Sequence, residues 1–215
     1  AIVSYQQAVT IKPDYAEAYL NIGFALQNLG KIDSAVASYR EALAIKPDLA
    51  QAHSNLGNAL RAQKRLDAAI EAFDRAIALQ PDLAEAHWNK AFSLLLGGDF
   101  ANGWKLYEWR WKRKKNSRAV RRFPQPLWLG ADSLAGKSIL LHSEQGLGDT
   151  IQFCRYAKLV SGLGARVILG VEKRLARSLK QLDGVAEIIP SGGALSPFDY
   201  QCPMLSLPLA FKTRL

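Results

Sequence analysis

The feature that most constrains this chain is a 34-residue period in its first half. Pro13, Pro47 and Pro81 stand 34 residues apart, and an Asp follows each of them. The stretches between the prolines agree residue for residue. One carries Tyr19, Ile22, Gly23, Leu26, Ala35, Tyr39, Ala42 and Pro47, and the next carries His53, Leu56, Gly57, Leu60, Ala69, Phe73, Ala76 and Pro81. Self-similarity at a period of this length is typical of stacked helical repeats.

The pattern resembles the tetratricopeptide repeat (TPR), a pair of antiparallel helices. Gly23 and Gly57 are small where the two helices of a repeat must approach closely, and Tyr39 and Phe73 are large enough to fill the space between repeats. A third repeat ends with Lys115 instead of Pro, and is therefore degenerate. The sequence predicts a TPR helical solenoid over residues 1–115, built from half a repeat and three repeats. Because it opens in mid-repeat, we interpret the chain as a fragment.

Composition sets limits on the remaining possibilities. The sequence contains no run of about 18 apolar residues, so no membrane span is expected. Cys154 and Cys202 are the two cysteines and do not form a C-x-x-C pair. A disulfide framework or a zinc site is therefore not expected, and no metal ligands are predicted. The cysteine usage favours a reducing compartment, and we expect a cytoplasmic location.

The net charge of +9 is concentrated in one segment, Trp109–Arg122. Its cations alternate with Trp109 and Trp111, which would suit nucleic acid or an anionic membrane surface. The alternative is a packed helix whose basic side is solvated, and charge runs are usually of this kind. Because no recognised RNA- or DNA-binding module accompanies the segment, nucleic acid is not expected as a partner. A basic linker containing Pro124 and Pro126 is predicted over residues 116–136.

The period changes after this linker. Predicted strands at 138–142, 166–171, 186–190 and 198–207 alternate with predicted helices at 149–163 and 173–182. This alternation indicates a doubly wound, Rossmann-like α/β domain over residues 137–215. Three or four strands are only part of the usual number, so the domain is expected to be incomplete.

A glycine-rich turn, E-Q-G-L-G-D-T at 144–150, follows the first predicted strand and precedes a helix. Gly146 and Gly148 allow the backbone to turn sharply and to approach a ligand. Asp149 or Thr150 would cap the helix. The alternative is a purely structural turn with Asp149 as a helix cap. A Walker-like pattern at 131–138 precedes a strand instead of following one, which argues against nucleotide hydrolysis.

Several stretches together carry a second resemblance. They are G-W-K-L-Y-E-W-R-W from Gly103, P-L-W-L-G, I-L-L-H-S-E-Q-G-L-G-D-T-I-Q-F-C-R-Y, F-D-Y and L-S-L-P. These resemble bacterial TPR proteins with a GT-B glycosyltransferase domain, similar to heptosyltransferases and more distantly to O-GlcNAc transferases. The resemblance implies that the α/β part is the N-terminal, acceptor-side lobe of an inverting enzyme.

By the same resemblance, Asp149 would be the catalytic general base, and Gln145, Gly146, Gly148 and Thr150 would bind substrate. A nucleotide-sugar donor is implied for the full-length parent and no cofactor for this fragment, which is expected to be inactive alone. The acceptor would be a sugar or a protein.

The repeats suggest a second activity. Asn21, Asn55 and Asn89 occupy the sixth position of successive repeats. An amide both donates and accepts, so a row of Asn can bind the backbone of an extended peptide. The row resembles the asparagine ladder of O-GlcNAc transferases. A carboxylate clamp is not expected, because Leu20, Phe24 and Ser54 stand where basic residues would be needed. The alternative to an enzyme is a non-catalytic TPR scaffold for protein–protein interaction.

Overall fold

A computed structural model describes residues 2–113 and 123–214. The chain divides into two compact parts, Ala1–Lys114 and Lys115–Leu215. We call them the repeat domain and the sheet domain. Residues 114–122 lie outside the described residues, and with them lie most of the basic segment Trp109–Arg122 and the start of the predicted linker 116–136.

The repeat domain consists of consecutive helices joined by short loops. They are α1 Ile2–Ile11, α2 Ala16–Asn28, α3 Ile32–Ile45, α4 Ala50–Ala62, α5 Leu66–Leu79, α6 Ala84–Leu96 and α7 Phe100–Tyr107, followed by a 3₁₀ turn at Glu108–Lys112. The prolines of the 34-residue period fall in the loops before α2, α4 and α6, where a missing N–H costs no helical hydrogen bond. The predicted TPR-like solenoid is confirmed.

Small residues set the spacing between the helices of each repeat. A Cβ atom added to Gly57 on α4 would lie 2.7 Å from Cε1 of Phe73 on α5, and one added to Gly23 would lie 2.6 Å from Cε1 of Tyr39. Both aromatic side chains are fully buried. The glycines are therefore required by the close approach of an aromatic ring and not by an unusual backbone conformation.

The first helices of the repeats lie along one another. α2 packs on α4 and α4 packs on α6, whereas the second helices α3 and α5 approach each other less closely. Stacked helix pairs that are closer on one side form a curved array with that side inward. The first helices α2, α4 and α6 therefore line the inner face of the repeat domain.

The sheet domain contains a small parallel sheet and short helices. In chain order these are β1 Ser138–His142, α8 Leu147–Phe153, α9 Tyr156–Ser161, β2 Arg166–Val171, α10 Lys173–Ala176, β3 Glu187–Pro190, β4 Tyr200–Pro203, a 3₁₀ turn at Met204–Ser206, and α11 Leu207–Ala210. The strand order is β3-β2-β1-β4. Leu140 pairs with Ile168 on one side and with Gln201 on the other, so β1 is central and almost fully buried.

The expectation of a doubly wound Rossmann-like domain, and with it the N-terminal lobe of a GT-B fold, is wrong. Such a sheet needs helices that cover both of its faces. The predicted helix 149–163 is divided at Cys154 and Arg155, the predicted helix 173–182 has helical geometry only over Lys173–Ala176, and the connection 191–199 contains no helix. The chain is mostly a helical TPR-like solenoid, followed by a small four-stranded sheet.

Candidate functional site

The inner face of the repeat domain presents one row of side chains from each first helix. We call it the first-helix face. Its residues follow the i, i+3/i+4, i+7 spacing of one side of a helix, and on α4 Arg61 lies three residues after Asn58. They are Glu17, Leu20, Asn21 and Phe24 on α2; Gln51, Asn55, Asn58 and Arg61 on α4; and Glu85, Trp88, Asn89 and Phe92 on α6.

The three predicted peptide-binding asparagines lie on this face with different degrees of exposure. Asn21 is exposed and Asn55 is half-buried, while Asn89 is buried at 8% exposure. The Oδ1 atom of Asn55 accepts a hydrogen bond of 2.9 Å from Nε2 of Gln51. The amides of Asn21 and Asn55 are thus the more accessible members of the row.

Carboxylates at the two ends of the face are paired within the chain. Glu17 accepts from Lys46 Nζ at 3.3 Å, and Glu85 accepts from Arg113 Nε at 2.7 Å. Hydrogen bonds, first to its own backbone and then to Lys46, hold the pKa of Glu17 below its usual value. These pairs neutralise the charge of the carboxylates at both ends of the face.

Arg61 is a cation at the centre of the face, on α4. Its side chain is half-buried, and burial lowers the pKa of its guanidinium. Nη2 lies 3.5 Å from Oδ1 of Asn58, beyond the usual separation of about 2.7–3.2 Å for such a bond, so the bond is weak. Nε is buried and has no acceptor within residues 2–113 and 123–214. The sequence analysis missed Arg61, because a single Arg in a helix gives no periodic or motif signal.

Apolar and aromatic side chains lie on both sides of Arg61. On α2, Phe24 is 55% exposed and Leu20 is half-buried. On α6, Trp88 packs edge-to-face on Phe92 with ring centroids 4.6 Å apart. The Arg113 guanidinium lies 3.6 Å from the centre of the Trp88 ring, a cation–π contact that covers part of it.

Two histidines at the fourth repeat position have a structural role. The Nε2 atoms of His53 and His87 each lie 2.9 Å from the carbonyl oxygen of the preceding repeat proline, Pro47 and Pro81. The His87 ring also stacks on Trp109 at 3.6 Å. Burial is the main cause that lowers the pKa of His87. These contacts attach each first helix to the loop before it.

The glycine-rich turn 144–150 differs locally from its prediction. α8 begins at Leu147 and its N-cap residue is Gly146, so neither Asp149 nor Thr150 caps the helix as expected. The Thr150 side chain is buried, and its hydroxyl donates to the Gly146 carbonyl at 3.3 Å. Asp149 is half-buried, and Gln145, Gly146 and Gly148 are exposed. The catalytic and substrate-binding roles of these residues stay predictions.

A separate cavity of ≈ 360 Å³ opens at the carboxyl ends of β2 and β3. Phe123, Gly170, Ser191 and Leu195 are among its lining residues, whereas residues 144–150 are not. Gly170 lines this cavity and also contacts the residue before the glycine-rich turn, because its carbonyl oxygen accepts a hydrogen bond of 2.9 Å from the Ser143 amide. Within the described residues, no cluster of His, Cys, Asp or Glu is arranged to hold a metal ion.

No described helix combines the length and the apolar character that a membrane crossing requires. The cytoplasmic location stays a prediction.

Family models of the tetratricopeptide repeat agree with the fold of the repeat domain. Models of the tetratricopeptide repeat match residues 20–84 and 54–107, and a TPR repeat model matches residues 1–30. Protein FlbA of Caulobacter vibrioides (strain ATCC 19089 / CIP 103742 / CB 15) is 31% identical over 179 residues. That match covers 82% of this chain and 25% of FlbA. Two crystal structures of MamA align with TM-scores of 0.49, at 25% and 26% identity, over 54% of this chain and 67% and 63% of theirs.

The chain is therefore a protein with tetratricopeptide repeats. It spans about a quarter of the length of the curated relative that it matches. Because the aligned 179 residues exceed the length of the repeat domain, the similarity to FlbA extends into the sheet domain. The matched repeat models end at residue 107, and none of these comparisons reports a glycosyltransferase domain.

Proposed function

We propose that this chain is a protein-interaction scaffold that binds an extended segment of a partner protein on the first-helix face. The observation that carries the proposal is the same residue, Asn, at the same position of three successive repeats, with Asn21 and Asn55 accessible on the inner face of the array. The neighbouring Phe24 is 55% exposed on the same helix, so the face offers apolar area as well as amides.

The chemistry of an amide suits an extended backbone. Each Asn side chain has two donor hydrogens and a carbonyl acceptor, so it can pair with both the C=O and the N–H of a peptide unit. The affinity then comes from main-chain hydrogen bonds, and side-chain contacts add specificity. An array of several repeats supplies such contacts at regular intervals along the partner.

The test replaces the two accessible amides together, as Asn21→Ala with Asn55→Ala. Peptides of 12 residues are first selected from a phage-displayed library on the unmodified chain, and their affinity is then measured by fluorescence anisotropy. Loss of two peptide-backbone pairs should weaken binding by about 10-fold or more. Asn21 is exposed and the side-chain bond of Asn55 is to the exposed Gln51, so the free energy of unfolding by urea should change by no more than about 1 kcal/mol.

Gln7→Ala on α1 is the matched control, since it removes an exposed amide from outside the first-helix face. It should leave the affinity unchanged. Asn89→Ala is measured separately, because that side chain is buried and its removal also perturbs packing. If the double variant binds the selected peptides as tightly as the unmodified chain, the asparagine row is not the binding surface.

Sugar transfer is not part of this proposal. The general-base role of Asp149 and the nucleotide-sugar donor rest on the sequence resemblance alone. The GT-B lobe from which they were drawn is not the fold of the sheet domain. The first-helix face, by contrast, lies on the helices α2, α4 and α6, of which α2 packs on α4 and α4 on α6.

A further inference from the structure

The uncompensated charge of Arg61 points to the kind of peptide that the first-helix face takes. Other cations of the same region have carboxylate partners: Lys46 pairs with Glu17, Lys90 with Asp74 and Arg113 with Glu85. Arg61 has no ion pair with any residue in the described ranges, and its bond to Asn58 is weak. It is a half-buried cation without a counter-ion.

The repeat pattern explains how this situation arises. The residue that corresponds to Arg61 in the first repeat is Gln27, whose Oε1 accepts a hydrogen bond of 2.8 Å from the Tyr39 hydroxyl. In the second repeat Phe73 replaces Tyr39 and has no hydroxyl, while Arg replaces Gln. The polar partner of this position is thus lost within the repeat, and the new side chain carries five donors and no acceptor.

The Arg61 guanidinium is half-buried and has only one weak acceptor among the described residues, so it carries a desolvation cost that a ligand can offset. Hydrogen bonds between ionised partners are roughly twice as strong as neutral ones, and a carboxylate matches the guanidinium fork with two parallel bonds. The burial that lowers the pKa of Arg61 also reduces the screening of such a pair by water. A carboxylate is therefore the complementary group for this position.

The surroundings show that a bound chain would continue past Arg61 in both directions. Phe24 and Leu20 lie on the preceding first helix, and Trp88 and Phe92 lie on the following one. Packed helices are about 8–10 Å apart. An extended chain advances about 3.3 Å per residue, so neighbouring first helices are about three peptide residues apart.

We propose that the first-helix face binds an extended segment with an internal Glu or Asp opposite Arg61 and an apolar residue about three positions away on each side. This inference rests on the proposed function and specifies its ligand. The acidic residue is internal, because a chain that ended at Arg61 would leave one of the two apolar regions uncovered.

The test uses two fluorescein-labelled peptides with blocked ends and the core Leu-x-x-Glu-x-x-Leu or Leu-x-x-Gln-x-x-Leu, with Gly and Ser at the x positions. Anisotropy titrations should show the Glu peptide binding the unmodified chain about 10-fold or more tightly than the Gln peptide. Arg61→Gln should remove this difference. Arg75→Gln, which removes an exposed guanidinium from the second helix α5, should retain it.

Two further arms make the result specific. Arg61→Lys keeps the charge but lacks the fork, so it should retain a smaller preference for Glu. A peptide that ends in a free carboxylate at the Glu position should bind more weakly than the internal Glu peptide. Equal or tighter binding of that terminal peptide would overturn the internal-acid proposal.

The remaining outcomes separate this inference from the function on which it rests. If the Glu and Gln peptides bind the unmodified chain equally, Arg61 does not select a carboxylate, and the inference fails while binding on the face stands. If neither peptide binds but library-selected peptides do, the spacing is wrong and the inference also fails. If no peptide of either source binds, the proposed function itself fails.

Discussion

At the scale of single residues, one substitution between repeats changes the chemistry of a buried position. Tyr39 and Phe73 occupy equivalent places and both are fully buried. The Tyr39 hydroxyl donates to Gln27 at 2.8 Å, so its one polar atom is satisfied. Packing needs only the ring, as Phe73 shows, and the hydroxyl adds a hydrogen bond and a titratable group. We therefore expect this group to make the first repeat sensitive to alkaline pH.

Burial raises the pKa of Tyr39 to about 12 from its ordinary 10.0. Between these two values the unfolded chain loses the phenolic proton and the folded chain keeps it. Stability should therefore fall as the pH rises through this window. Tyr39→Phe should reduce the fall while costing about 1 kcal/mol at neutral pH, through loss of the bond to Gln27. Urea unfolding of the unmodified chain and of Tyr39→Phe at pH 8, 10 and 11 measures how the free energy of unfolding changes with pH.

The control for this prediction is Tyr15→Phe, because Tyr15 is 42% exposed. That variant should keep the alkaline sensitivity of the unmodified chain. A Tyr39→Phe chain that loses stability above pH 10 as steeply as the unmodified one would show that other groups cause the effect.

At the scale of elements, the end of α7 is built around a buried arginine. Arg110 is fully buried in the 3₁₀ turn, and its Nη1 donates to Glu108 Oε1 at 2.6 Å. The guanidinium lies 4.4 Å from the centre of the Trp111 ring and 4.9 Å from that of Tyr107. The contacts of the Arg110 guanidinium with these two rings could not be predicted from the sequence.

Arg110→Ala should destabilise the repeat domain by about 3 kcal/mol, because it removes the ion pair with Glu108 and leaves a cavity where a fully buried side chain packed against two aromatic rings. Arg110→Met should recover part of this loss, since it refills the volume without a charge. Circular dichroism during urea unfolding measures the free energy of unfolding of both variants. Arg40→Ala, at an exposed position of α3, is the control and should change stability by less than about 0.5 kcal/mol.

Elements with a repeated pattern could be predicted from the sequence, and short elements could not. The helices α2 to α6 follow from the 34-residue period, because Gly57 and Phe73 recur where close packing requires them. β1 and β2 follow from their apolar runs. The length of α10 does not follow, since residues 177–181 have helical composition but form turns. Arg61 gave no signal because its significance depends on having no counter-ion among the described residues, which only the contacts reveal.

At the scale of the whole molecule, the two domains owe their stability to different patterns of contact. The sheet domain is centred on β1, which pairs with β2 on one side and with β4 on the other. The repeat domain has no such centre, because each helix packs mainly on its neighbours in sequence: α3 on α4, and α5 on α6. In a linear array of this kind, stability is approximately a sum of repeat and neighbour terms. A local change in the middle repeat should therefore weaken the repeats on both sides.

Gly57→Ala tests this expectation. Its new methyl group would lie under 3 Å from three atoms of the Phe73 ring, so α4 and α5 must separate or the ring must leave its place. Overpacking of this kind costs about 1–3 kcal/mol. Hydrogen exchange followed by mass spectrometry should show faster exchange in α4 and α5 and, to a smaller extent, in α3 and α6.

Adding Phe73→Leu should relieve part of the strain, because the two sites are in contact and their effects are not additive. Gly148→Ala, whose methyl group would meet no atom within 4 Å, should cause no such change. Faster exchange confined to α4 and α5 would mean that neighbouring repeats do not depend on the middle one, and the linear-array account of this domain would be wrong.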